Sequence, residues 1–160
     1  MEDEAFFTPL DPEGNSVALI VKHLAGNMRS RWRDFLTTDG EKPDRERDRE
    51  FVAEPGDTRD GLRAAWNEGW ELALGAVGAL GPDDLERIVR IRGEPHTALE
   101  AINRQLTHYA YHVGQIVLLA KHFAGPAWSS LSIPKGASRE YEVAKDGVAY
   151  RPGSAVKPTE

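Results

Sequence analysis

Apolar residues recur with helical spacing in three long stretches of the chain, and polar or Gly/Pro-rich segments separate them. Over 16–36, Val17, Ile20, Val21, Leu24, Met28, Trp32, Phe35 and Leu36 fall at intervals of one, three and four, which places them on one stripe of an amphipathic helix. Asn15 or Ser16 stands where an N-cap belongs, and Thr38-Asp39-Gly40 ends the run. A second helix, capped by Thr58 or Asp60, carries Leu62, Trp66, Trp70, Leu74 and Val77 and is closed by Gly81-Pro82. The third starts near 95–97 and runs to Phe123, where Gly125-Pro126 stops it. Its core stripe reads Ala98, Ile102, Leu106, Tyr109, Val113, Ile116, Val117 and Ala120. Trp32, Trp66, Trp70 and Tyr109 share this spacing and read as core, since large aromatics dominate core packing.

The intervening segments are less regular. Residues 39–58 combine Gly and Pro with the alternating run Asp44-Arg45-Glu46-Arg47-Asp48-Arg49-Glu50. Opposite charges side by side predict a solvated loop, long enough to serve as a lid; the alternative is that the arginines grip an anionic substrate. Pro82-Asp83-Asp84-Leu85 predicts one helical turn, and 85–92 a short extended segment before Gly93. Beyond 126 the composition turns to Gly, Pro and Ser. Tyr141-Glu142-Val143 and Val148-Ala149-Tyr150 flank Asp146-Gly147, a hairpin-turn signature, and 152–160 reads as a frayed tail. The expected class is all-α, an up-down antiparallel bundle over 1–138 with a small irregular extension, including a hairpin, over 139–160.

Composition narrows the function. A length of 160 residues suits one domain. Twenty Lys+Arg against 26 Asp+Glu give a net charge of -6, which works against a sequence-independent grip on phosphate backbones, so no nucleic-acid partner is expected. Zero cysteines exclude disulfides, a thiol nucleophile, iron–sulfur clusters and a thiolate zinc site. Met1-Glu2-Asp3-Glu4 lacks the basic start of a signal peptide, and the longest aliphatic run, 17–21, is far short of the roughly 20 residues of a membrane span. The expectation is a cytoplasmic protein without membrane association. No Ser–His–Asp grouping, P-loop or dinucleotide fingerprint competes for the chemistry.

The histidines are the candidates. His108 and His112 lie four apart, so a helix sets both imidazoles on one face a turn apart, within reach of one metal ion. Their stripe, Ala101, Gln105, His108, His112, Gln115 and Leu119, adjoins the core stripe, and Gln105 and Gln115 are placed to hold the rings by hydrogen bonds. Tyr109 stands where a zinc-protease helix would carry its glutamate, which excludes that chemistry. On the first long helix His23 shares an inward-adjoining stripe with Gly26, Asn27 and Ser30, the small residues there allowing close approach of another helix. Three imidazoles from two helices would leave coordination positions open for water or substrate. The alternative for His23 is a core histidine bonded to Asn27 or a backbone carbonyl. His122 lies ten residues past His112, about 15 Å along a helix, and His96 is similarly remote, so both are read as capping or surface residues.

Three segments carry a family resemblance: Val21-Lys-His-Leu-Ala-Gly-Asn-Met-Arg-Ser-Arg-Trp-Arg-Asp-Phe35, Ile91-Arg-Gly-Glu-Pro-His96 and Ala101-Ile-Asn-Arg-Gln-Leu-Thr-His-Tyr-Ala-Tyr-His-Val-Gly-Gln-Ile116. Over roughly 7–138 the chain resembles the DinB/YfiT-like superfamily, and within it a bacterial branch of unknown activity with a Ser-Ile-Pro-Lys-Gly segment, here 132–136. The resemblance implies a four-helix bundle, often dimeric, with a divalent metal on three histidines that map onto His23, His108 and His112. Relatives include thiol-dependent S-transferases, a maleylpyruvate isomerase and proteins described as metal-dependent hydrolases. One departure is that the superfamily's first helix precedes a segment like 7–15, whereas six residues stand before it here. Either the start is trimmed or a partner supplies the missing wall, and the expectation is a homodimer. The expected function is metal-dependent hydrolysis or S-transfer on a small-molecule substrate, with zinc or nickel foremost, then iron or manganese, and a low-molecular-weight thiol as co-substrate. The rival is a non-catalytic dimeric bundle with a structural or metal-sensing histidine site.

Overall fold

Helices make up most of the chain in the computed structural model, which describes residues 1–143 and 150–152. They are α1 Asp3–Phe7, α2 Val17–Trp32, α3 Arg59–Gly78 and α4 Ala98–Ala124, and 3-10 turns at Arg47–Phe51 and Pro82–Glu86 lie between them. Strands β1 Ile88–Ile91 and β2 Glu94–Thr97 pair antiparallel, as do β3 Tyr141–Val143 and β4 Tyr150–Pro152. The chain divides into two units, Met1–Phe123 and Ala124–Glu160. In the second, Tyr141 pairs with Pro152 and Val143 with Tyr150; the expected Asp146-Gly147 turn and the 153–160 tail lie outside the described residues. Among the described residues no helix is long and apolar enough to cross a membrane.

Ser16 caps α2 by accepting from the Leu19 amide, and Thr58 caps α3 by accepting from Gly61. Ile20, Leu24 and Met28 are the largest fully buried side chains and centre the core. The backbone of α3 comes close to α2 at Gly69, where an added Cβ would stand 2.9 Å from Met28 Cε. Trp32, Trp70 and Tyr109 extend the core towards α4: Trp32 Nε1 donates to the Tyr109 hydroxyl at 2.7 Å, and Trp70 meets the Tyr109 ring at 5.4 Å. The aromatic set is core, as its spacing predicts.

Four departures from the sequence reading have physical reasons. α2 stops at Trp32 rather than reaching residue 36, because Arg33 is extended and Asp34 adopts a left-handed φ of 52°. Phe35 stays buried by folding back onto Trp32 at 4.8 Å, so a turn satisfies the same apolar spacing as a helix. Residues 94–97, read partly as the start of the last helix, form β2 opposite β1, with Arg92 and Gly93 both at positive φ in the turn. The C-terminal half of the α3 stripe is outward, with Leu74 67 % exposed and Val77 also exposed. On α4, Leu106 is 65 % and Val113 41 % exposed, while Ala98, Ala101, Gln105, Tyr109, His112 and Leu119 are buried. The buried stripe is thus turned by about 70° from the hydropathy stripe, at 100° per residue. Hydrogen-bonded Gln105 and His112 take the interior in place of Leu106 and Val113.

Candidate metal centre

On α2 the row His23, Asn27 and Arg31 repeats every four residues, and all three are buried. This row meets the His108–His112 face of α4. His23, His108 and His112 each offer a ring nitrogen, and these atoms all lie within 4.8 Å of one another. Nε2 of His23 is 3.2 Å from Nε2 of His108.

The third wall comes from the segment after α2. Asp39 anchors it by accepting from the Arg92 and Gly93 amides at 2.8 and 2.7 Å, and from the Glu41 amide. Ser30 donates to the Gly40 carbonyl and accepts from the Lys42 amide. The 3-10 turn then delivers Glu50 beside His23. Gly26 makes room, since a Cβ there would collide with the Glu50 carboxylate. The small residues Gly26 and Ser30 therefore admit this segment, where the sequence suggested a helix.

Glu50 is the residue that sequence reasoning missed. It is buried, accepts from His23 Nδ1 at 2.8 Å, and takes a two-pronged contact from Arg45 Nε and Nη2 at 2.8 Å each. Burial would raise its carboxyl, but the hydrogen bonds from Arg45 and His23 and their charges outweigh it and hold the group below its ordinary value. An ionised carboxylate only accepts, so Nδ1 of His23 carries a proton and Nε2 is the atom turned to His108. His112 Nδ1 is fixed the same way by Gln115 Oε1 at 2.8 Å. The expected partners Asn27 and Gln105 bond to each other instead, Gln105 Nε2 donating to Asn27 Oδ1 at 2.7 Å and to the Tyr109 hydroxyl at 3.0 Å. The solvated-loop reading of 39–58 fails at Arg45 and Glu50, whose side chains are 5 % and 9 % exposed. Phe51 from the same turn lies against the His23 ring at 4.6 Å.

The donor set fits a metal ion. Two imidazole nitrogens bound to one ion at about 2.1 Å stand roughly 3.0–3.4 Å apart, and the His23–His108 separation of 3.2 Å falls in that interval. Burial, reinforced by the neighbouring charges of His112 and His23, pushes His108 down to about 4. Burial also lowers His112, against Gln115, which raises it. Both rings are therefore neutral ligands near pH 7. His108 Nδ1 is buried and has no partner among the described residues. His96 sits half-buried in β2 and His122 exposed on α4, and neither joins the cluster.

The three rings open onto a cavity of ≈ 780 Å³, whose other lining residues include Arg31, Arg45, Arg47, Arg92 and Arg104. Fold and site define a mostly helical protein with a three-histidine cluster able to hold a metal ion. The chain belongs to the family described as "Protein of unknown function (DUF1572)", which matches residues 1–137. No curated protein and no solved structure matches it significantly.

Proposed function

We propose that the chain is a metal-dependent enzyme of the DinB/YfiT type, an up-down four-helix bundle acting as a homodimer on a small-molecule substrate. His23, His108 and His112 would hold one divalent ion, with zinc and nickel the best match to an all-imidazole set, ahead of iron and manganese. The observation that carries this reading is the convergence of the three rings, with Nδ1 of His23 and of His112 anchored by Glu50 and Gln115 so that their Nε2 atoms are left for an ion. A divalent ion there supplies a lowered pKa for a bound water or thiol and polarises a substrate oxygen.

The chain's own residues orient and shield. Glu50 spends its oxygens on His23 and Arg45, and no carboxylate is among the described residues lining the cavity. No general base is therefore in place, which favours transfer from a readily ionised thiol over hydrolysis. Leu99, Leu106 and Val113 are exposed along α4 at seven-residue intervals and support pairing with a second copy. Light scattering checks this: a dimer that Leu106→Glu converts to monomer is expected, and a monodisperse parent monomer counts against it.

Elemental analysis tests the metal. Near-stoichiometric zinc or nickel in the parent, lost in His108→Ala/His112→Ala, is the expected result. A parent that stays metal-free after reconstitution with zinc, nickel and manganese sinks the enzyme reading. In a cobalt-substituted protein, added cysteine should shift the visible spectrum. An unchanged spectrum would favour a closed, structural site.

A further inference from the structure

The charges around the histidine cavity do not balance. Five arginines line it, and the carboxylates within ion-pair reach of them are Glu41, Glu50 and Asp48. Arg45 is fully engaged with Glu50 and Glu41. Among the described residues, Glu41 is also the carboxylate in ion-pair reach of the Arg31 and Arg92 guanidinium groups, at 3.8 and 3.5 Å, too far for good hydrogen bonds. Arg104 makes no ion pair or hydrogen bond among the described residues. Arg31 is the unusual member: it is 5 % exposed, and its Nε and Nη1 are closed off with no hydrogen-bond partner among the described residues. A buried guanidinium left this way is costly unless something compensates its charge.

A second cavity, of ≈ 390 Å³ on the other side of Glu50, provides the contrast. Six cationic side chains line it, but so do Asp44, Glu46, Glu50 and Glu54. There Arg33 is paired with Asp44, and Arg49 with Glu46 and Glu54. On that surface carboxylates offset most of the cations, whereas the histidine cavity keeps an excess of positive charge in a protein whose net charge is -6.

We propose that the histidine cavity takes a small molecule bearing an oxyanion, a carboxylate or phosphate group, held by the charge of Arg31 at the floor and by Arg104 at the rim. The inference rests on the metal-centre reading for what the histidines do to that molecule, while its charge argument stands apart from it. The cavity volume suits a metabolite-sized ligand, and guanidinium groups match carboxylate and phosphate geometry.

Calorimetric titration of the zinc-loaded protein with benzoate, phenyl phosphate and benzyl alcohol tests it. Both anions should bind at least about tenfold more tightly than the alcohol. Arg104→Met should weaken them about tenfold while leaving zinc stoichiometry unchanged. Arg31→Met should do the same, with circular dichroism checking its fold, and Arg104→Met decides alone if that variant does not fold. Equal or absent binding of the three probes overturns the proposal. So does anion binding that survives Arg104→Met and disappears when zinc is stripped, since the anion would then sit on the metal alone. Arginine-dependent anion binding in a parent that takes up no metal would uphold the proposal while the metal reading fails.

Discussion

Two adjoining rows of α2 are buried by different means. Ile20, Leu24, Met28 and Trp32 form one row, and His23, Asn27 and Arg31 the other; each repeats every four residues and each is nearly inaccessible. The apolar row is satisfied by volume alone, with α3 closing onto it at Gly69. The polar row requires a named partner for every residue, brought from far along the chain. His23 depends on Glu50 and Asn27 on Gln105, while Arg31 has only a carboxylate at 3.8 Å. A fold selected for stability alone would fill that row with leucine. Keeping it polar and incompletely compensated is what a binding site looks like in energetic terms. Stability and the proposed site thus divide along one helix.

That division is broken most severely through the apolar row. Leu24→Ala removes a side chain with no exposure and should cost about 2–5 kcal/mol in urea unfolding, with metal bound per folded molecule unchanged. A parallel loss of metal stoichiometry would show that the rows are not separable. Glu50→Gln attacks the other row. It keeps the size of the side chain but leaves Arg45 facing only Glu41, and should cost about 1–3 kcal/mol. Zinc affinity should fall about 10- to 100-fold, because the His23 ring loses its charged anchor. Unaltered affinity in a zinc competition titration would mean that Glu50 serves the fold alone.

The histidine cluster was legible because spacing is a geometric statement: two residues four apart on a helix must share a face, whatever surrounds them. Glu50 was not. An alternating charge run looks the same whether it is solvated or folded inward, and only the small residues Gly26 and Ser30 on the inner side of α2 signalled that something approached. The partner they admit is a loop rather than a helix, which residue size cannot distinguish. The rotation of α4 was hidden for a related reason. Hydropathy assigns Leu106 and Val113 to the interior, but Gln105 and His112 displace them once their polar atoms find partners. The caps were readable in part: the sequence offered Asn15 or Ser16 and Thr58 or Asp60, and did not mark the one at α4. Ser16 and Thr58 start their helices, and Thr97 with Glu100 forms a capping box at the head of α4.

A smaller effect is expected from Asp39, which pins the segment carrying Glu50 to the β1–β2 turn. Burial opposes its ionisation, but the amides of Glu41, Gly93 and Arg92 prevail and hold its carboxyl below the ordinary value. The unfolded chain therefore takes up this proton at a higher pH than the folded one. The stabilisation is complete above the ordinary carboxylate value of about 4 and is lost as pH falls towards the lower folded value. Asp39→Asn should cost about 1 kcal/mol at pH 7. Other carboxylates titrate in the same range, so the useful quantity is the difference between parent and variant. It should shrink below about pH 4, and a difference independent of pH would assign the effect to shape rather than charge.

Gly26→Ala should cost less stability than Glu50→Gln and so sets the two rows apart on the finest scale. Alanine in place of a mid-helix glycine stabilises by up to about 1 kcal/mol, and the new methyl must displace the Glu50 carboxylate. That carboxylate is held by Arg45 and His23, so moving it costs what those contacts contribute, and the helix gain offsets only part of the loss in urea unfolding. The His23 contact gains nothing from that offset. Moving Glu50 off His23 Nδ1 frees the ring to turn its Nε2 away from His108. Zinc affinity should therefore fall several-fold while the unfolding midpoint drops by less than in Glu50→Gln. A variant equal to the parent in both measurements would show that Glu50 reaches His23 by another path and that Gly26 only makes space.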